Sequence, residues 1–356
     1  GRGGRAGGAR GARRRGGGRG RGGAAVVVVG GADRNAQAFG DVWALRVRGP
    51  TGPGGVSLAW ERPAIAAAGG AAPTPRANAS LTALGRKLYL FGGHDPTSGT
   101  CFNDVLALDT ARDPWEWRRV EIQGGSPPPR HSHAACRLRG GCLLVFGGAG
   151  QDRPLNDVWV FDPETARWTF PTLGGELPAA REMHTLTEVG GGRALLLGGR
   201  DAGGRVLQDA RLLDLDALTW GAAAQALPTP CCAHSAVAFP RSSLGLEQPA
   251  TAGVVGGGDV QRGAPDGVLV FGGFTGEEIS DAVHVLDPAS LEAGLLGGLA
   301  SGPADFCPPA RLAHTAVALP NMDAMLVFGG VEAATDLSDV ALLHLQGALP
   351  LIEEID

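Results

Sequence analysis

The feature that most constrains this chain is a phrase that returns six times. An apolar run ends in Gly-Gly, and an Asp eight to eleven residues later opens a second apolar run. The clearest copy reads Leu143-Leu144-Val145-Phe146-Gly147-Gly148, then Asp157-Val158-Trp159-Val160-Phe161-Asp162, then Trp168. The glycine pairs are Gly30-Gly31, Gly92-Gly93, Gly147-Gly148, Gly198-Gly199, Gly272-Gly273 and Gly329-Gly330, followed by Asp41, Asp104, Asp157, Asp209, Asp281 and Asp339. In a chain with 59 glycines among 356 residues, Gly-Gly alone carries little. Pairs such as Gly124-Gly125 and Gly174-Gly175 lack the flanking runs, so the joint pattern is the signal. A recurrence of roughly 50 residues or a little more means a propeller or an array.

Each part of the phrase has a physical reading. The first run is apolar at nearly every position, as in a strand covered on both faces. Gly-Gly permits positive φ and close backbone approach where the chain leaves a crowded hub. The Asp is expected to bond local amides and fix the loop exit. Trp on the outer strand is expected to fill the gap between blades while its N–H reaches a partner. The fold class is therefore all-β, a six-bladed propeller of four-stranded antiparallel blades.

Over about 24–345 the pattern resembles the kelch repeat, whose blade opens with Arg-x-x-His and closes on Trp. Blade three carries Arg130, His133, Asp157, Asp162 and Trp168, and blade four Arg181, His184, Asp209, Asp214 and Trp220. Blade two keeps Arg76 and Trp117 but has Ala79 for His. Blade five has Cys231 for Arg, keeps His234 and has no Trp; blade six has Arg311 and His314, also without Trp. The blades are expected at about 24–62, 76–122, 130–171, 181–224, 231–296 and 311–353 within a propeller domain 24–356. Blade one, closing on Trp60, lacks an obvious first strand. Leu349–Ile352 is expected either to end blade six or to complete blade one and lock the ring. His234 and Gly272 lie 38 positions apart against 14 for His133 and Gly147, so about 241–266 is an insertion, expected to protrude.

Residues 1–23 hold eight arginines, no acid and no apolar core, and are expected to be a disordered tail. It reads as an RGG-like arm or as a tract of biased composition, and it is the one place where nucleic acid could bind. Without those eight charges the overall net of −5 becomes −13, an acidic propeller ill suited to general nucleic-acid binding. No apolar run reaches the length of a membrane span. The six cysteines form no C-x-x-C; Cys136 and Cys142 are expected on neighbouring strands of blade three, where they could pair, but reduced thiols in an intracellular protein, cytoplasmic or nuclear, are the expectation.

The repeated histidines are expected to pack and hydrogen-bond at the hub rather than bind metal; His131 and His133 share a strand face without a third ligand. The repeated arginines are expected to order the loops between blades by bonding carbonyls or an acidic neighbour. Copper-radical oxidases share the propeller, but their chemistry needs paired Tyr and His ligands and Tyr89 is the single tyrosine. The Glu-x3-Asp-x3-Asp set of iron-dependent specifier proteins fails at Val285, after Glu277 and Asp281. No catalytic triad, P-loop, cofactor or metal site is read, and an enzyme is the less favoured reading.

The resemblance implies a non-enzymatic protein-interaction module, a scaffold or a substrate-recognition propeller of ubiquitin-ligase adaptor type, monomeric, with a protein or peptide on one face and no membrane. The expected contacts are the loops after Gly-Gly: Arg34, His94, Asp95, Asp152, Arg153, Arg200, Arg205, Phe274, Glu277, Glu278 and Glu332. Blades two and three are similar to the kelch part of plant F-box light-sensor proteins. Met183–Thr187 with Leu195–Arg200 is similar to one blade of the wybutosine-forming tRNA methyltransferases, which makes an accessory domain of a larger enzyme the alternative. A small-molecule enzyme using the propeller mouth is the third reading.

Overall fold

The computed structural model describes residues 12–14, 24–48, 57–67, 70–246, 266–295, 308–319 and 322–345. Six blades surround one axis, each with its inner strand against the hub. The inner strands are Ala12–Arg14, Ser80–Leu84, Ala134–Arg137, Thr185–Val189, Ser235–Phe239 and Thr315–Leu319. Each sheet runs outward and antiparallel from there; in blade three the order is Ala134–Arg137, Leu143–Ala149, Pro154–Asp162 and Arg167–Thr169. Blade six shows three described strands, and the role expected of Leu349–Ile352 lies outside the described residues.

Two blades carry more than four strands. Ile65–Ala67 runs parallel to the outer strand Trp115–Arg119 of blade two, and Gly174–Gly175 runs parallel to Thr219–Trp220 of blade four. Both segments read as linkers in sequence. Blade one gains a strand too: Ala12–Arg14 pairs antiparallel with Ala25–Val27, inside the stretch expected to be a structureless tail. The rest of 1–23 lies outside the described residues.

The buried apolar residues fall into six clusters, and each straddles one seam between neighbouring blades. The cluster of Val26, Leu45 and Val47 with Val317, Leu319 and Leu342 joins blade one to blade six, so packing closes the ring. Such a core follows from strands buried on both faces, whose side chains alternate between the two adjoining seams. The tryptophans sit where the radial gap widens. Trp168 packs on Phe91 of blade two with ring centroids 4.8 Å apart, and Trp220 packs on Phe146 of blade three at 5.1 Å. Contrary to expectation, the indole N–H groups of Trp168 and Trp220 are buried without an acceptor. These rings act by area and shape, not as polar anchors.

Gly147-Gly148 shows why the repeat demands two glycines. The pair interrupts the register between the second and third strands as a β-bulge, with φ of 60° and 96°. A Cβ on Gly147 would lie 2.9 Å from the Arg181 carbonyl and 3.0 Å from the His184 ring of the next blade. A Cβ on Gly148 would lie 2.7 Å from the Cβ of His133 in its own blade. One glycine admits the neighbouring blade, and the other admits the histidine.

The insertion in blade five is not wholly a protruding loop. Its first turn, Arg241–Leu244, is a short 3-10 helix that buries Arg241, Ser243 and Leu244. Arg241 donates through Nη1 and Nη2 to the Asp287 carboxylate at 2.5 and 2.7 Å, and Ser243 Oγ donates to Asp323 of blade six at 2.7 Å. The stretch 247–265 lies outside the described residues.

Candidate binding face

Inner strands begin, and second strands end, at the same end of every blade. The Arg-x-x-His entrances and the loops after Gly-Gly therefore share one face, hereafter the loop face. Backbone bridges join the two within blades two to six: Ala77 with His94, His131 with Ala149, Glu182 with Arg200, Cys232 with Phe274 and Leu312 with Val331.

Among the described residues, four matching clamps lie beneath this face. Arg130 is fully buried and forks onto Asp157, Nη1 to Oδ1 at 2.7 Å and Nη2 to Oδ2 at 2.8 Å; Nη1 also donates to the Gly147 carbonyl at 3.0 Å. Arg76 with Asp104, Arg181 with Asp209 and Arg311 with Asp339 repeat the geometry, each with a carbonyl of its own Gly-Gly pair. The planar fork fits a carboxylate in two bonds, which Lys could not reproduce. Burial works against the charge of Asp157, but Arg130 and the Trp159 indole N–H overcome it and hold the carboxyl below the usual range. In these four blades the repeated Asp thus serves chiefly the buried arginine, where sequence reasoning placed it on local amides; in blade one Asp41 accepts the Trp43 indole N–H instead. In blade five Cys231 replaces the arginine, and its Sγ lies 3.3 Å from the Gly272 carbonyl.

The hub is tied by a chain of peptide hydrogen bonds that sequence reasoning missed. In blades two to six the residue before the His position adopts positive φ: Asn78, Ser132, Met183, Ala233 and Ala313, between 53° and 57°. Ser132 N–H donates to the Asn78 carbonyl, Met183 to Ser132, Ala233 to Met183 and Ala313 to Ala233, all at 2.8–2.9 Å. The histidines do pack here. The ring nitrogen Nε2 of His133 lies 2.9 Å from Ser80 Oγ, that of His234 3.0 Å from Thr185 Oγ1 and that of His314 2.8 Å from Ser235 Oγ, each on the preceding blade. The chain of bonded peptides floors an axial cavity of about 350 Å³ that opens on the loop face.

The residues expected at this face occupy distinct positions around its rim. Arg34 is exposed, lines the cavity, and its backbone N–H donates to Asp336 of blade six at 3.2 Å. His94 also lines the cavity and stacks on His131 of blade three, centroids 4.1 Å apart. Burial, with His94 close by, brings His131 down to about 4, and burial lowers His94 as well. Asp95 accepts Ser98 Oγ at 2.7 Å and holds its own loop. Asp152 and Arg153 are exposed at the tip of the blade three loop. Arg200 bonds Glu182 at 2.5 and 3.0 Å, and Arg205 bonds Asp201 at 3.2 Å. Phe274 is half-buried, Glu277 and Glu278 are exposed, and Glu332 accepts the Thr335 hydroxyl. The fold joins Arg34 and His94 at one cavity mouth and leaves Arg153 and Arg205 on outer loops. Glu182, His131 and Asp336 are partners that no local signal disclosed.

Against known proteins, the chain matches the KLHDC2/KLHL20/DRC7 Kelch-repeats domain over residues 19–199 and 113–244. It is 30% identical over 312 residues to Adagio-like protein 1 of Oryza sativa subsp. japonica, covering 83% of this chain and 43% of that protein. It is 35% identical over 194 residues to the flagellar outer arm dynein alpha chain of Chlamydomonas reinhardtii, covering 52% of this chain and 4% of that one. With Host cell factor of Drosophila melanogaster it shares 35% identity over 136 residues, 34% of this chain and 9% of that protein. The chain thus spans less than half the length of these relatives. Fold, clamps and family match agree: the chain belongs to the kelch-repeat β-propeller family.

Proposed function

We propose that this propeller is a protein-interaction module whose loop face takes a protein or peptide partner, serving as the recognition or scaffold part of a larger assembly. The observation that carries this is the division of labour within each blade. The strands recur in all six blades, the clamp in four and the hub backbone conformation in five, while the loops after Gly-Gly differ in length, charge and apolar content. A rigid ring bearing variable loops is a usual arrangement for recognition. The axial cavity gives the face a concave centre for a side chain or chain end. A ubiquitin-ligase receptor and a structural scaffold both use such a face; the finer role belongs to whatever the propeller is joined to.

The test is a charge reversal at two exposed loop residues, Arg153→Glu with Arg205→Glu. Partners captured from extract by the wild type are expected to be lost by the double variant, with circular dichroism unchanged because both side chains are exposed. A control at the opposite face, Arg139→Glu, is expected to keep them. Identical partner sets from wild type and double variant, with loss in the control, would move the binding site to the other face.

A further inference from the structure

We infer that the sector of the loop face over blades five and six docks a basic peptide segment carrying one bulky apolar side chain. The inference rests on the loop face being the partner-binding side, and it assigns the chemistry of that partner.

Charge is the first observation. The described residues from 231 to 345 include ten acids but only two arginines, Arg241 and Arg311. Both arginines are spent in forks, on Asp287 and Asp339. In blade four the acids of the loop face have their own cations: Glu182 is met by Arg200 and Asp201 by Arg205. In blade six Asp336 accepts the backbone N–H of Arg34 and Glu332 accepts the Thr335 hydroxyl, while the Glu pair of the blade five loop is not so met. Glu277 and Glu278 are exposed and, among the described residues, neither carboxylate has a hydrogen bond or ion pair. The loop that carries them is closed by its own bonds: Thr275 N–H donates to the Glu278 carbonyl at 2.9 Å, and Thr275 Oγ1 accepts the N–H of Glu277 and Glu278. These carboxylates stand on an ordered turn, so a partner meets them with little ordering cost.

Apolar surface is the second. Phe274, Leu312 and Val331 are half-buried and belong to none of the six seams. Backbone bridges to Cys232 and between Leu312 and Val331 fix them at the inner rim, where Leu312 lines the axial cavity. Uncompensated negative charge around a fixed apolar floor favours a cationic segment with one greasy anchor: charge steers and selects, and the buried side chain holds.

The probes are three fluorescein-labelled peptides with cores Lys-Lys-Leu-Lys-Lys, Glu-Glu-Leu-Glu-Glu and Lys-Lys-Ser-Lys-Lys, titrated by fluorescence polarisation into the whole chain. The first is expected to bind at least tenfold more tightly than the other two and to weaken as salt rises. Glu277→Lys with Glu278→Lys is expected to weaken it at least tenfold, and so is Phe274→Ser, while Arg139→Glu on the opposite face leaves it unchanged. Equal binding of the serine peptide, binding unaffected by the charge reversals, or no binding of the basic peptide overturns the inference. Preferred binding of the acidic peptide, lost on Arg34→Glu, overturns it too but leaves the loop-face reading standing. Binding that only the Arg139→Glu control disturbs defeats both.

Discussion

Blades three and five are built on the same repeat and held together differently. In blade three Arg130 and Asp157 clamp the loop-face end of the sheet, and Trp168 fills the outer gap against blade two. In blade five the clamp position holds Cys231, no tryptophan closes the blade, and the buried arginine fork sits at the other end, between Arg241 of the insertion and Asp287. An antiparallel sheet is stapled by its ladder wherever its ends are tied, so the charged tie can be at either end. Its position has a consequence for the surface. Blade three spends an arginine beneath the loop face; blade five spends its arginine away from it, and among the described residues Glu277 and Glu278 of its loop have no ion pair.

The largest loss is expected at Arg130. Arg130→Ala leaves Asp157 without its fork and is expected to cost about 3–5 kcal/mol in urea unfolding, as for loss of one partner of a buried pair. Trp168→Ala, which empties the seam between blades two and three, is expected to cost about 3–5 kcal/mol; a change under about 0.5 kcal/mol would mean that the seam does not depend on the indole. Arg241→Ala tests the displaced clamp, with an expected loss of about 1.5–3 kcal/mol for charge-assisted bonds. A neutral result there would reduce the insertion to decoration. Acid sharpens the comparison on the blade three side. The His131 value near 4 lies below the ordinary 6.5, so the unfolded chain takes up protons first. The contribution of His131 to stability is therefore fully present above pH 6.5 and is lost as pH falls from there towards 4. His131→Asn is expected to flatten that part of the profile, and an unchanged slope would contradict the burial assigned to the stack. The smallest effect is expected at Cys231→Ala, about 1 kcal/mol or less, because the thiol makes one weak bond where other blades place a fork.

The comparison also marks what a sequence can disclose. The strands, the glycine bulges and the arginine role were legible because each demands a residue type: only glycine admits the Arg181 carbonyl beside Gly147, and only arginine forks onto Asp157. The hub bonds were not, since Asn78, Ser132, Met183, Ala233 and Ala313 share a backbone conformation and no side-chain chemistry. Arg34 and Asp336 meet across the ring closure, a contact no local pattern announces. The burial of Arg241 was hidden by the Gly- and Pro-rich stretch that follows it. At the candidate face, the loops were legible as variable. Which of their charges are already neutralised, as Glu182 by Arg200, required the fold.

Whether partners sit on the loop face is read out by hydrogen–deuterium exchange on the complex with a purified, captured partner. Slowed exchange is expected in the loops 94–101, 201–206 and 274–280, with the turns 139–141 and 163–166 on the opposite face unchanged. Protection confined to those opposite turns, with the loops exchanging as in the free protein, would contradict it.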